Sequence, residues 1–122
     1  ELFETREARG IPEQQSVKIR EIETAGIAKH LGSDYVICLS DRGREMDSSQ
    51  FSVFIDRTAM NQPHPISFVI GGYLGLKDGF VNKADTLLSL SRMTFSHELA
   101  RVVLLEQIYR AMTILKGHKY AK

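Results

Sequence analysis

His97, Arg110 and the small and apolar residues just upstream of them are where this chain has the means to do chemistry. An imidazole titrates near neutral pH and can accept a proton, so His97 is a candidate general base. It follows Thr86–Phe95, TLLSLSRMTF, a short apolar strand that enters a polar turn and then a helix. Helix N-termini expose unpaired N–H groups, and α/β proteins often seat ligands at such turns. Gly71 and Gly72 follow a second apolar run and allow a ligand close to the backbone. Leu39–Gly43 ends a third. Each feature also has a plain structural reading: an ordinary connection, a turn glycine pair, a histidine bonded to its turn. Arg110 stands four residues after Glu106, the spacing of an ordinary helix ion pair.

The elements that must position these residues alternate along the chain. Glu1–Thr5 reads as a short strand, and Pro12 and Glu13 suit the start of a helix ending near Leu31, with Gly32 as its stop. Asp34–Ser40 is a continuous apolar strand expected to be buried on both faces, and Asp41–Arg44 a loop beyond it. Asp47 or Ser48 can cap the next helix, in which Phe51, Phe54, Ile55 and Thr58 recur at helical spacing. Ile66–Ile70 is a strand, Lys77–Lys83 a short helical segment and Thr86–Leu90 a further strand. The last helix runs from about Glu98 to Lys116. This alternation predicts an α/β fold built on a parallel, layered sheet, whose ligand loops lie at the carboxyl ends of the strands.

Composition narrows the class. The chain has 122 residues, 43% hydrophobic and 25% charged, and a net charge of +1, as in one soluble globular domain. No apolar run reaches membrane-span length and no signal-peptide pattern is present, so no membrane partner is expected. Cys38, the single cysteine, permits no intrachain disulfide and suits a reducing cytoplasm, as a buried inert thiol. No metal-ligand cluster or nucleotide fingerprint (GxxxxGK[ST], or GxGxxG after a strand) occurs. The basic ending Lys116–Lys122, with Arg101 and Arg110, is the best candidate RNA patch; it equally complements the helix dipole. The last helix carries an apolar stripe of Ala100, Leu104, Leu105, Ile108, Ala111, Met112 and Leu115. Leu99, Val102, Val103, Tyr109 and Ile114 add more, which suggests a partner helix.

Three ordered stretches carry a family resemblance: LSLSRMTFSHELARVVLLEQIYRA, FVIGGYLGL at Phe68–Leu76, and VICLSDRG at Val36–Gly43. Together they resemble the SPOUT-superfamily methyltransferases that modify a pseudouridine in large-subunit ribosomal RNA. The resemblance implies a single three-layer, parallel-sheet SPOUT domain over 1–122 with a C-terminal trefoil knot, S-adenosyl-L-methionine as cofactor, and a homodimer. It implies transfer of a methyl group to N3 of a pseudouridine in 23S rRNA, on the assembled ribosome. Carried over position by position, the cofactor contacts are Leu39, Gly71, Leu90, Ser91, Arg92, Met93, Thr94 and Phe95. His97 and Arg110 are the catalytic candidates, and Arg110, Lys119 and Tyr120 the RNA contacts; no metal is implied.

The sequence departs from the family pattern in three places. It opens downstream of the family's N-terminal strand and helix, Ser96 replaces a proline, and Ala121 follows Tyr120 where the family has a histidine. The alternative these departures suggest is a catalytically inactive SPOUT-fold module that binds RNA or the ribosome.

Overall fold

The computed structural model describes residues 29, 31–71, 81 and 83–117. The expected strand and helix between residues 1 and 28, and the loop beyond Gly71, lie outside them. Five elements follow in order: β1 (Tyr35–Glu45), α1 (Ser48–Asn61), β2 (Ile66–Val69), β3 (Thr86–Ser89) and α2 (His97–Leu115). The strands form one sheet in the order β2-β1-β3, with both pairings parallel.

β1 is central, and its sequence shows why. Neighbouring side chains on a strand point to opposite faces, and Ile37 and Cys38 are both fully buried. Ile37 belongs to a core with Leu88, Phe51 and Ile55 of α1, and Leu104 and Ala111 of α2. Cys38 belongs to a second core with Leu31, Val69 and Val81. Apolar layers therefore cover both faces, as the unbroken Tyr35–Leu39 run predicts. Burial pushes the Cys38 thiol up from 9.0 to about 11, because a thiolate is poorly solvated there. The unfolded chain then gives up this proton first, so the stabilising effect is intact below pH 9 and fades as pH rises toward 11. About 1.4 kcal/mol should be gone by pH 10. Urea titrations at pH 8 and pH 10 should show that fall in wild type, and Cys38→Ala should lack its Cys38 share.

β1 runs further than its sequence suggests. Asp41–Arg44 reads as a loop, yet the chain stays extended to Glu45. Leu39 and Arg44 both pair with Leu88, so residues 40–43 bulge out of the ladder before Arg44 and Glu45 rejoin it opposite Leu88 and Ser89. Gly43 makes that return possible: a Cβ there would lie 2.7 Å from the backbone of Leu87 and Leu88.

Both helices begin with side-chain caps. Asp47 accepts the Gln50 N–H at 2.7 Å while Gln50 Oε1 accepts the Asp47 N–H at 2.8 Å, closing a capping box. Asp47→Ala should lower the urea-unfolding free energy by about 1 kcal/mol. Gly32, at φ +57°, ends the helical turn at Leu31 as expected.

Candidate ligand site at the carboxyl edge of the sheet

Strand register gathers the predicted ligand residues. Cys38 pairs with both Val69 and Leu87, and Leu39 with Leu88. Since all three strands run the same way, Leu39, Gly71 (two residues past Val69) and Leu90 (three past Leu87) emerge at one edge. The Leu90–Phe95 loop continues from it into α2. Open α/β sheets bind ligands at this edge.

The loop is shaped by its own serines. Ser89 donates its hydroxyl to the Ser91 carbonyl at 2.9 Å, and the Met93 N–H donates to Ser91 Oγ at 3.0 Å. Such a side-chain turn fixes the backbone without secondary structure. The amides of Arg92, Thr94 and Phe95 have no backbone partner among the described residues. Leu39 and Leu90 are half-buried against the Ile37 core, Phe95 is half-buried and Gly71 likewise. Arg92 and Thr94 are exposed, and Met93, which also reads as a core residue in sequence, is 76% exposed. The edge thus offers apolar surfaces next to backbone donors.

α2 begins at His97 with Ser96 as its N-cap. Ser96 Oγ accepts the Leu99 N–H at 3.2 Å, and its carbonyl accepts the Ala100 N–H at 2.9 Å. The serine that replaces the family proline therefore orders the turn by capping it, and His97 is spared that duty. Its side chain is 46% exposed, with Nε2 4.0 Å from Glu98 Oε1.

Arg110 is held on the same helix by a network. Its Nη2 and Nε donate to Glu106 Oε1 at 2.6 and 3.1 Å. Gln107 Nε2 donates to Glu106 Oε2 at 3.0 Å, and Ser48 Oγ of α1 donates to Gln107 Oε1 at 2.7 Å. The Glu106–Arg110 pair is legible in the spacing. Gln107 and Ser48 are not, because their contact is made only when α1 packs on α2. His97 and Arg110 are 13 residues apart on one helix, or about 20 Å at 1.5 Å per residue. One chain does not bring both to the same reacting atom. Lys119 and Tyr120 lie outside the described residues.

The outer side of α2 divides the wide apolar stripe. Leu104 and Ala111 are buried, but Leu105 and Met112, assigned by sequence to the same stripe, are exposed. They join Val102 and Tyr109 in a seam at 102, 105, 109 and 112, the alternating three- and four-residue spacing of helix pairing. Among the described residues no helix is long and apolar enough to cross a membrane, and no cluster of three His, Cys, Asp or Glu side chains is placed to hold a metal.

A protein family described as predicted SPOUT methyltransferase matches residues 1–121. Ribosomal RNA large subunit methyltransferase H of Nitratidesulfovibrio vulgaris strain DP4 is 49% identical over 88 residues, covering 72% of this chain and 56% of that protein. Proteins of the same name from Clostridium botulinum strain Loch Maree and Bifidobacterium adolescentis are 42% identical over 116 residues and 43% over 110. These cover 91% and 89% of this chain, and 73% and 68% of theirs. The chain thus spans little more than half the length of the N. vulgaris relative.

Proposed function

Because this chain belongs to the SPOUT methyltransferase family, we propose that it is an S-adenosyl-L-methionine-dependent methyltransferase of large-subunit ribosomal RNA. Its acceptor is N3 of a pseudouridine in 23S rRNA, presented by the assembled ribosome in the cytoplasm. The supporting observation is the register that gathers Leu39, Gly71 and Leu90–Phe95 at one edge. In this reading the segment after β3 is threaded through a trefoil knot.

The residues fit the cofactor. Leu39, Leu90, Met93 and Phe95 would hold its adenine, and the amides of the loop and of Gly71 would meet the polar edge. Ser91 holds the loop in shape. When bound, the cofactor supplies a methyl group on an already activated sulfonium. The chain's remaining tasks are to align the acceptor, exclude water and remove a proton. The His97 imidazole takes the N3 proton of the weakly acidic pseudouridine imide as the nitrogen becomes nucleophilic. Arg110 faces the RNA with its guanidinium oriented by Glu106, and Lys119 and Tyr120 contact the RNA from the C-terminal end.

The roughly 20 Å between His97 and Arg110 favours a two-fold dimer. If the exposed seam at Val102, Leu105, Tyr109 and Met112 packs on its symmetry mate, each site takes its loop and His97 from one copy and its Arg110 from the other.

Calorimetric titration with S-adenosylhomocysteine tests the reading. One site per chain is expected, lost in a folded Gly71→Val protein whose new side chain fills the ligand edge. A folded dimer that binds no S-adenosylhomocysteine would sink the methyltransferase assignment. The RNA-binding module lacking transfer activity, to which Ala121 points, would then take its place.

A further inference from the structure

Apart from the ligand edge, an open depression of about 380 Å³ lies beside the end of β1, lined by Arg44, Ser49, Gln50, Val53, Phe54 and Arg57. No predicted cofactor residue lines it. Two guanidinium groups enter from different elements: Arg44 from the penultimate position of β1, Arg57 from the body of α1. Both are exposed, and neither has an ion-pair partner among the described residues. The acids nearest in sequence are Asp41, Glu45, Asp47 and Asp56, none of which lines the depression. Asp47 is engaged in the α1 cap.

The other linings add direction to this charge. Gln50 Oε1 is occupied by the Asp47 N–H, so the end of its amide left available is the NH₂ donor. Val53, 47% exposed, and half-buried Phe54 give an apolar wall. Arginine forks match phosphate oxygens in pairs, an amide donor adds a third contact, and an apolar wall suits a ribose or base face. A single-stranded polyanion carries this combination.

Place in the fold connects the depression to the reaction. Arg44 is paired with Leu88 and Glu45 with Ser89, so the depression borders the strand that becomes the Leu90–Phe95 loop. We propose that the Arg44–Arg57 depression grips the sugar–phosphate backbone of the substrate RNA next to the nucleotide being modified. This rests on the assignment of an RNA substrate made above.

The test compares wild type with R44E/R57E in co-sedimentation with assembled ribosomes between 50 and 200 mM salt. S-adenosylhomocysteine titrations run in parallel, and thermal melts confirm folding. The charge-reversed protein should lose at least tenfold in RNA affinity, with the slope of log K against log salt smaller by about 1.4–1.8 for two lost phosphate contacts. Its cofactor affinity should be unchanged. R57Q alone should remove about half of the slope change, which covers the case of a double variant that misfolds. K29E/K83E has the same charge change on the segments covering the opposite sheet face, and should keep the wild-type slope. Equal RNA binding by wild type and R44E/R57E, or an equal loss in K29E/K83E, overturns the proposal. Wild type that binds no ribosomes overturns it together with the ribosomal RNA substrate. Arginine-dependent RNA binding by a chain that binds no cofactor supports the depression while removing methyl transfer.

Discussion

Gly43→Val is expected to destabilise the protein by about 3 kcal/mol or more, and to weaken S-adenosylhomocysteine binding at least tenfold in whatever remains folded. The reason is space. Gly43 does not have a positive φ, so any residue could adopt its backbone conformation. Yet a Cβ would lie 2.7 Å from the carbonyl carbons of Leu87 and Leu88 and the amide nitrogen of Leu88. Backbone cannot swing aside as a side-chain tip can, so β3 must move off β1. Leu88 is 2% exposed and held in the Ile37 core, and β3 leads straight into the ligand loop. Stability and cofactor affinity should therefore fall together. Gly43→Ala already introduces the clash and should show a smaller loss of both. Urea unfolding measures it: the midpoint drops while the slope stays near wild type. A Gly43→Ala protein with the wild-type midpoint would refute the close approach.

Leu104→Ala should cost about 3–4 kcal/mol, whereas Leu105→Ala next to it should cost under about 1 kcal/mol in the monomer. Leu104 is 3% exposed and packs α2 onto the sheet; Leu105 is 55% exposed. Truncating Leu104 leaves a cavity under the helix that carries Arg110, and the loss is independent of protein concentration. Leu105→Glu should act elsewhere. In the proposed dimer it places a charge in the seam with Val102, Tyr109 and Met112, and sedimentation at micromolar concentration should show monomer. The two variants thus separate folding from association. A Leu105→Glu protein that sediments as wild type would remove α2 from the interface.

The functional reading depends on the same distinction. The Leu90–Phe95 loop and the His97 imidazole sit at one end of α2, and Arg110 well along it. Leu104 holds that helix on the sheet, and the Leu105 side is the one available to a second copy. A site shared across a dimer would be sensitive to both faces: one positions Arg110 in its own chain, the other delivers it.

Much of this was legible in the residues. The unbroken Tyr35–Leu39 run announced a central strand buried on both faces, because alternation disappears when both sides are apolar. Asp47 or Ser48 marked the start of α1, since a side-chain oxygen there satisfies an otherwise unpaired N–H, and the structure selects Asp47. Glu106 and Arg110 declared their pairing by spacing alone. Each of these rests on chemistry within a few residues. Ser96 was different. A serine in place of a proline leaves the backbone less restricted by itself, and only the helix geometry shows its hydroxyl on the Leu99 N–H.

Local chemistry along the chain accounts for where strands and helices occur, how they begin, and which residue types could meet a ligand. Tertiary structure alone decided the extension of β1 to Glu45, the need for glycine at 43, the outward side of α2 and the Ser48–Gln107 link to Arg110. It also brought Arg44 and Arg57 into one depression. The physical reason is shared. Asp41-Arg42-Gly43-Arg44 is polar and reads as a loop, but Arg44, with Glu45 after it, pairs with the β3 backbone more than forty residues later. A helical period reveals that α2 has a wide apolar surface, yet not which part the sheet will occupy. Contacts between distant segments exist only once the chain has folded, and they assign a role to residues whose own chemistry leaves it open.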